Sequence, residues 1–152
     1  MQDTTLRKIN KMMKEGMNVN HTKMRKECEV LWAKNKYYVL SKSHKVYLEI
    51  REYLKEKEVD ILLIKEKILN LRNVEESKKD FNNAILHVWG YFKKDATDVE
   101  KQGLFSILEK YMTEQSNQEA VIEYIKALLK KYPNQYLQES TLLTGEYDEI
   151  VA

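Results

Sequence analysis

The chain is expected to fold as an all-α protein, a single-domain helical bundle of about six to seven helices with an irregular C-terminal tail. Three observations lead there. Its 152 residues include only four Gly and one Pro, so helix breakers are scarce. Hydrophobic residues make up 43% and charged residues 33%, enough apolar material for a real core in a chain of one-domain length. Apolar side chains recur at helical spacing along most of the chain.

The elements follow in order. Asp3 or Thr4 can cap a first helix carrying Leu6, Ile9, Met12, Met13 and Met17, which Gly16 and Asn18–Asn20 are expected to end. A second helix runs from about Thr22 to Leu40 with Met24, Cys28, Leu31, Trp32, Tyr38 and Val39 inward. Asn35 falls inside that apolar arc, so it needs a hydrogen-bond partner if buried. Ser41–Lys45 makes a short break, and Ser43 caps a helix that reaches about Lys57 through Tyr47, Ile50 and Leu54.

Asp60 caps the next helix, whose run from Ile61 to Leu71 is apolar enough to predict burial on more than one side. After Asn73 a helix continues to Lys94 or Asp95. Thr97-Asp98-Val99-Glu100 and Ser116-Asn117-Gln118-Glu119 both have the spacing of a capping box. Leu104, Ile107, Leu108, Tyr111 and Met112 line the first of these helices. Val121, Ile122, Ile125, Leu128, Leu129 and Tyr132 line the second, which Pro133 stops. The tail 134–152 has no sustained periodicity and reads as turns with a short extended piece. No repeat or linker divides the chain.

Composition excludes several functions. No stretch approaches the length of a membrane span, and the N-terminal residues lack the pattern of a secretory signal. The single Cys28 rules out an internal disulfide framework or a multi-cysteine metal site built by this chain alone. A reducing cytoplasm is the expected compartment, and Cys28 reads as a buried thiol among Met24, Leu31 and Trp32. Net charge is +2, unevenly spread: residues 1–45 hold eleven Lys/Arg against four Asp/Glu, and residues 134–152 hold none against four. That asymmetry suits an anionic partner at the N-terminal end.

The most unusual segment is Asn82–Lys94. As a helix it puts Phe81, Ile85, Val88, Trp89 and Phe92 on one apolar arc. Asn83, His87, Gly90 and Lys94 fall opposite, with Tyr91 at the margin. An amide, an imidazole and a glycine replace the usual Glu and Lys of an outward face. A mid-helix Gly costs roughly 0.5–1 kcal/mol relative to Ala, so Gly90 implies a close approach by a ligand or by another helix. His87 orients a helix contact, touches a ligand or phosphate, or serves as a general acid or base. Catalytic signatures are missing: there is no Gly-rich phosphate loop, no Gly-x-Ser-x-Gly elbow and no His-Glu-x-x-His pair. His21, His44 and His87 are too scattered to suggest a metal site, and no cofactor is called for.

Aromatic and basic residues interleave twice, at Lys34–Tyr38 with Lys42 and Lys45, and at Tyr91–Lys94. Lys neutralises phosphate and exposed Tyr stacks on unpaired bases, so RNA is a physically sensible partner. Core Tyr flanked by surface Lys would give the same pattern.

These residues also resemble a known family. Lys36-Tyr37-Tyr38-Val39-Leu40-Ser41-Lys42-Ser43-His44-Lys45-Val46-Tyr47 is similar to the YbgA-like family's run of Lys, apolar residues, Ser, Lys and Tyr. Asn83-Ala84-Ile85-Leu86-His87-Val88-Trp89-Gly90-Tyr91-Phe92-Lys93 resembles its Asn-x-x-x-His-x-x-Gly-Tyr-Phe-Lys signature. Glu100-Lys101, Tyr111 and the Tyr132-Pro133-x-x-Tyr136-Leu137 end follow in order, so the likeness spans about residues 30–143. The family is a helical domain of unknown function, occurring alone or fused to a cysteine-rich domain of the thiouracil-desulfurase type.

The resemblance implies an RNA-binding element, with tRNA and a separate desulfidase protein as partners. The desulfidase chemistry belongs to the cysteine-rich domain, which this chain lacks. Asn35 and Lys42 stand where the family often has His, and His44 where it often has Pro. The expected binding residues are Lys36, Lys42, Ser43, Lys45, Asn83, His87, Gly90, Tyr91, Lys93 and Lys94. Two other readings stay open: a protein-interaction scaffold using the His87 face, and an enzyme whose cofactor comes from outside. The sequence leans away from the enzyme and leaves the oligomeric state undetermined.

Overall fold

The computed structural model describes residues 2–146, apart from the side chains at positions 2, 3 and 18. Among them are eight α-helices and a short 3-10 turn, and no strand. The order is α1 (Gln2–Lys42), α2 (His44–Tyr53), α3 (Ile61–Asn70), the 3-10 turn at Leu71–Asn73, α4 (Lys78–Trp89), α5 (Asp98–Met112), α6 (Gln118–Lys131), α7 (Gln135–Gln138) and α8 (Thr141–Thr144).

The first two expected helices are one. Gly16 and Asn18–Asn20 do not end α1, and Asp3 and Thr4 lie inside it rather than capping it. Ending a helix at a glycine usually takes a left-handed residue. Among the described residues positive φ occurs only at Glu114 and Gly145. Without that turn, an unfavourable Gly is simply carried within the helix. At about 1.5 Å per residue α1 is roughly 60 Å long.

Its C-terminal half is a wall shared by two cores. Tyr37 and Leu40 face the larger one, with Phe81, Ile85 and Val88 of α4, Leu104 and Leu108 of α5, and Val121 and Ile125 of α6. Cys28, Tyr38 and Val39 face the smaller one, with Ile50 of α2, Ile64 and Ile68 of α3, and Leu71. Burial pushes the Cys28 thiol above its ordinary pKa, as expected of a packed rather than reactive cysteine.

Several ends behave as their caps dictate. Ser43 Oγ accepts from Val46 N–H at 3.1 Å, and Asp60 Oδ1 accepts from Leu62 N–H at 2.9 Å. Thr97 and Glu100 form a complete capping box. The α6 cap is Asn117, not Ser116: its Oδ1 accepts from Ala120 N–H at 2.9 Å. Helix α2 stops at Tyr53, short of Lys57. There Arg25 donates to the carbonyl oxygens of Leu54 at 2.8 Å, of Glu56, and of Lys57 at 3.4 Å. One guanidinium thus satisfies the loose carbonyls that follow α2 and clamps them to α1.

Helix α3 is buried on one side only, since Leu62 is 68% exposed while Ile64 and Ile68 are buried. The tail is more regular than expected. Asn134 caps α7, and Gly145, at φ +73°, ends α8 in the left-handed region. The extended piece expected beyond lies outside the described residues. Thr141 Oγ1 donates to Asn35 Oδ1 at 2.8 Å, while Asn35 Nδ2 donates to Leu31 O at 2.9 Å. The partner that buried Asn35 required comes from the tail.

Candidate functional site

Helix α4 lies antiparallel to the C-terminal half of α1, pinned at both ends. At its start His44 N–H reaches Asp80 Oδ2 at 3.4 Å, and Lys42 Nζ donates to Val74 O at 3.1 Å. Beyond its end the Tyr37 and Tyr91 hydroxyls meet at 2.8 Å. The polar stripe expected on this helix is real. Phe81, Ala84, Ile85, Val88 and Trp89 are buried, whereas His87 is exposed and Asn83 half-buried.

Two expectations about the stripe change. Helix α4 ends at Trp89, not near Lys94, and Gly90 is its C-cap. The backbone then tightens: Gly90, Tyr91 and Phe92 each donate three residues back, to His87, Val88 and Trp89. A Cβ on Gly90 would press on His87 O at 3.1 Å, with no other described atom within 4 Å apart from its chain neighbours. No neighbouring helix among the described residues approaches this glycine. Its one close contact is the local pinch, which brings the carbonyl of one turn against the next.

The stripe ends in a tyrosine cluster. The Tyr91 ring lies nearly parallel to that of Tyr136, with centroids 6.1 Å apart. Tyr37 meets both edge-on, at 6.0 and 6.4 Å. Lys36 Nζ stands 5.1 Å from the Tyr37 ring centre and 5.2 Å from that of Tyr136, within cation–π range. Burial, reinforced by the bond to Tyr91, drives the Tyr37 hydroxyl far above its ordinary pKa. It stays neutral and orients Tyr91, which remains 36% exposed. Lys93 and Lys94 follow directly and are exposed.

The expected residues therefore fall into two groups. Lys36, His87, Gly90, Tyr91, Lys93 and Lys94 gather at the C-terminal end of α4, with Asn83 one turn before His87. Lys42, Ser43 and Lys45 sit at the other end, about 16 Å away by helical rise. Ser43 is occupied as a cap and Lys42 by a carbonyl. Lys45 stands on the outer side of α2, beside Leu48, Glu49 and Glu52. Tyr136 joins the first group although sequence alone gave it no role there. Its signal was the Asn134 cap, which starts a helical turn that carries Tyr136 back to α1.

Two other features bear on chemistry. A cleft of about 600 Å³ opens between α1, α6 and α8, with Lys42, Arg72, Lys126, Glu119 and Glu123 among its lining. Among the described residues no group of three or more His, Cys, Asp or Glu side chains is placed to hold a metal ion, and no helix is long and apolar enough to cross a membrane.

Residues 36–145 match the model of a family described as "Protein of unknown function (DUF1722)". No curated protein and no solved structure matches the chain.

Proposed function

The chain belongs to this DUF1722 family, and from that premise we propose that it is a YbgA-like, non-catalytic module that binds RNA. The expected species is tRNA, and the expected partner is a separate thiouridine desulfidase. The observation that supports this most is the Lys36–Tyr91–Tyr136 cluster. A half-open tyrosine, held in orientation by a buried one and flanked by cations, is a platform on which an unpaired base can stack. Such stacking is worth about 1–3 kcal/mol per base. Lys36, Lys93 and Lys94 supply charge for the flanking phosphates, and His87, one turn before Tyr91, faces a ribose or base edge. Lys42, Ser43 and Lys45 drop out of this platform because they stand at the far end of α4.

Fluorescence anisotropy with a purified tRNA tests the reading. Affinity should fall steeply with added salt. Tyr91→Ala and the double variant Lys36→Ala/Lys93→Ala should weaken binding at least tenfold, and Lys45→Ala should leave it unchanged. Absence of binding at low salt, or equal losses in all three variants, would sink it.

A second reading makes the His87 face a dock for another protein chain. It is favoured by Leu86 and Phe105, exposed at 38% and 41%, the latter packed edge-on against Trp89. Co-purification of one stoichiometric protein partner, with no nucleic acid retained, would select it.

A further inference from the structure

The first half of α1 lies before the matched residues and carries a face that nothing described covers. Leu6, Ile9, Met12, Met13, Met17 and Val19 are all at least 48% exposed. By helical periodicity they share one arc with Gly16, while Arg7, Lys8, Lys11 and Lys14 take the other side.

The direction of that arc narrows its partner. Leu6 lies about five turns before Met24, and Met13 about five turns before Leu31, so each pair looks the same way. Met24 and Leu31 pack into the smaller core with α2 and α3. The open face is therefore the continuation of a packed one. Where the two meet, the body forms a step: His21 Nε2 comes within 3.9 Å of Glu58, and Lys14, Met17, His21, Lys57 and Glu58 line one recess. A flat lipid surface laid on the arm would run into this step. A partner one helix wide fits it.

We infer that the partner is a second copy of this chain, its arm packed antiparallel on the first about a two-fold axis near Lys11. Leu6 of one copy then lies against Gly16 of the other, and Ile9 against Met13. Each layer sets a branched side chain against a small or pliable one. Gly16 is explained by this arrangement. A Cβ there would meet nothing within 4 Å in the single chain, yet Gly inside a helix costs about 0.5–1 kcal/mol. Close approach by the second copy's Leu6 needs the missing side chain.

Two arms of this length bury on the order of 1,000 Å², the low end for a specific interface.

Sedimentation equilibrium of the full chain over a concentration series tests the inference. The expected result is a reversible approach to twice the chain mass. Ile9→Lys/Met13→Lys should be monomeric with its thermal transition intact, since neither side chain enters a core. Gly16→Leu should raise helix content by circular dichroism and still weaken dimerisation at least tenfold, a combination that helix propensity alone would not give. A monomer at every concentration overturns the inference, as does a dimer that survives in both variants. So does a monomer that sediments with phosphatidylserine vesicles, which would make lipid the partner.

Discussion

The Tyr37 and Tyr91 hydroxyls, 54 positions apart in sequence, share a 2.8 Å hydrogen bond. That bond ties the middle of α1 to the pinched turn after α4. Because the hydroxyls serve each other, Tyr37→Phe or Tyr91→Phe alone should cost about 0.5–1.5 kcal/mol. The double variant should cost little more than either single one. Urea denaturation of all four proteins measures the coupling.

Glu100 ties the start of α5 to the end of α6. Its carboxylate accepts from Thr97 N–H at 2.9 Å, Tyr132 Oη–H at 2.6 Å and Lys131 Nζ at 3.3 Å. These donors, the backbone one foremost, lower its pKa from 4.5 to about 2. A carboxyl depressed by folding contributes stability above its unfolded pKa and loses it as pH falls toward the folded value. The melting temperature should therefore drop between about pH 4.5 and 2. Glu100→Gln, which cannot titrate, should show a shallower drop over the same interval in a pH series of thermal melts.

Asn35 and Thr141 are both buried, at 1% and 6% exposure. Thr141→Val removes the donor to Asn35 Oδ1 while keeping the shape, and should cost about 1–3 kcal/mol because the oxygen is left unpaired. Replacing both, as Asn35→Leu/Thr141→Val, should recover much of that loss. Denaturant midpoints for the three variants decide it.

Gly103 is the glycine where added volume meets a real obstacle. A Cβ there would overlap the Tyr124 hydroxyl, which is held by its 2.7 Å bond to Glu100 O. Gly103→Ala should therefore destabilise the protein by about 1–3 kcal/mol despite its better helix propensity. Calorimetry on Gly103→Ala and Gly103→Ala/Tyr124→Phe separates the two effects, since the second variant frees the ring to move.

Sequence patterning was most reliable where local chemistry decides the outcome. Ser43, Asp60 and Thr97 cap helices because a hydroxyl or carboxylate next to free N–H groups needs no distant help. The apolar arc of α4 is buried where periodicity put it. Reading failed where distant contacts decide. Nothing local says that Arg25 takes over the carbonyls where α2 stops. After Trp89 the backbone tightens into a turn at Gly90 that periodicity cannot see. At the candidate site, Lys36 and Tyr91 were legible as residue types. Their meeting at Tyr136 depends on how the tail folds back, which composition does not record.

The grip of Arg25 on the carbonyls of Leu54, Glu56 and Lys57 divides α1 in time as well as in space. Amides beyond it sit in a wall shared by two cores and should open only with the whole domain. Those before His21 make few contacts with the body of their own chain and, in the monomer, should open on their own. Hydrogen–deuterium exchange should split this uninterrupted helix into a fast and a slow segment meeting between His21 and Arg25. One rod by geometry is then two bodies by clock.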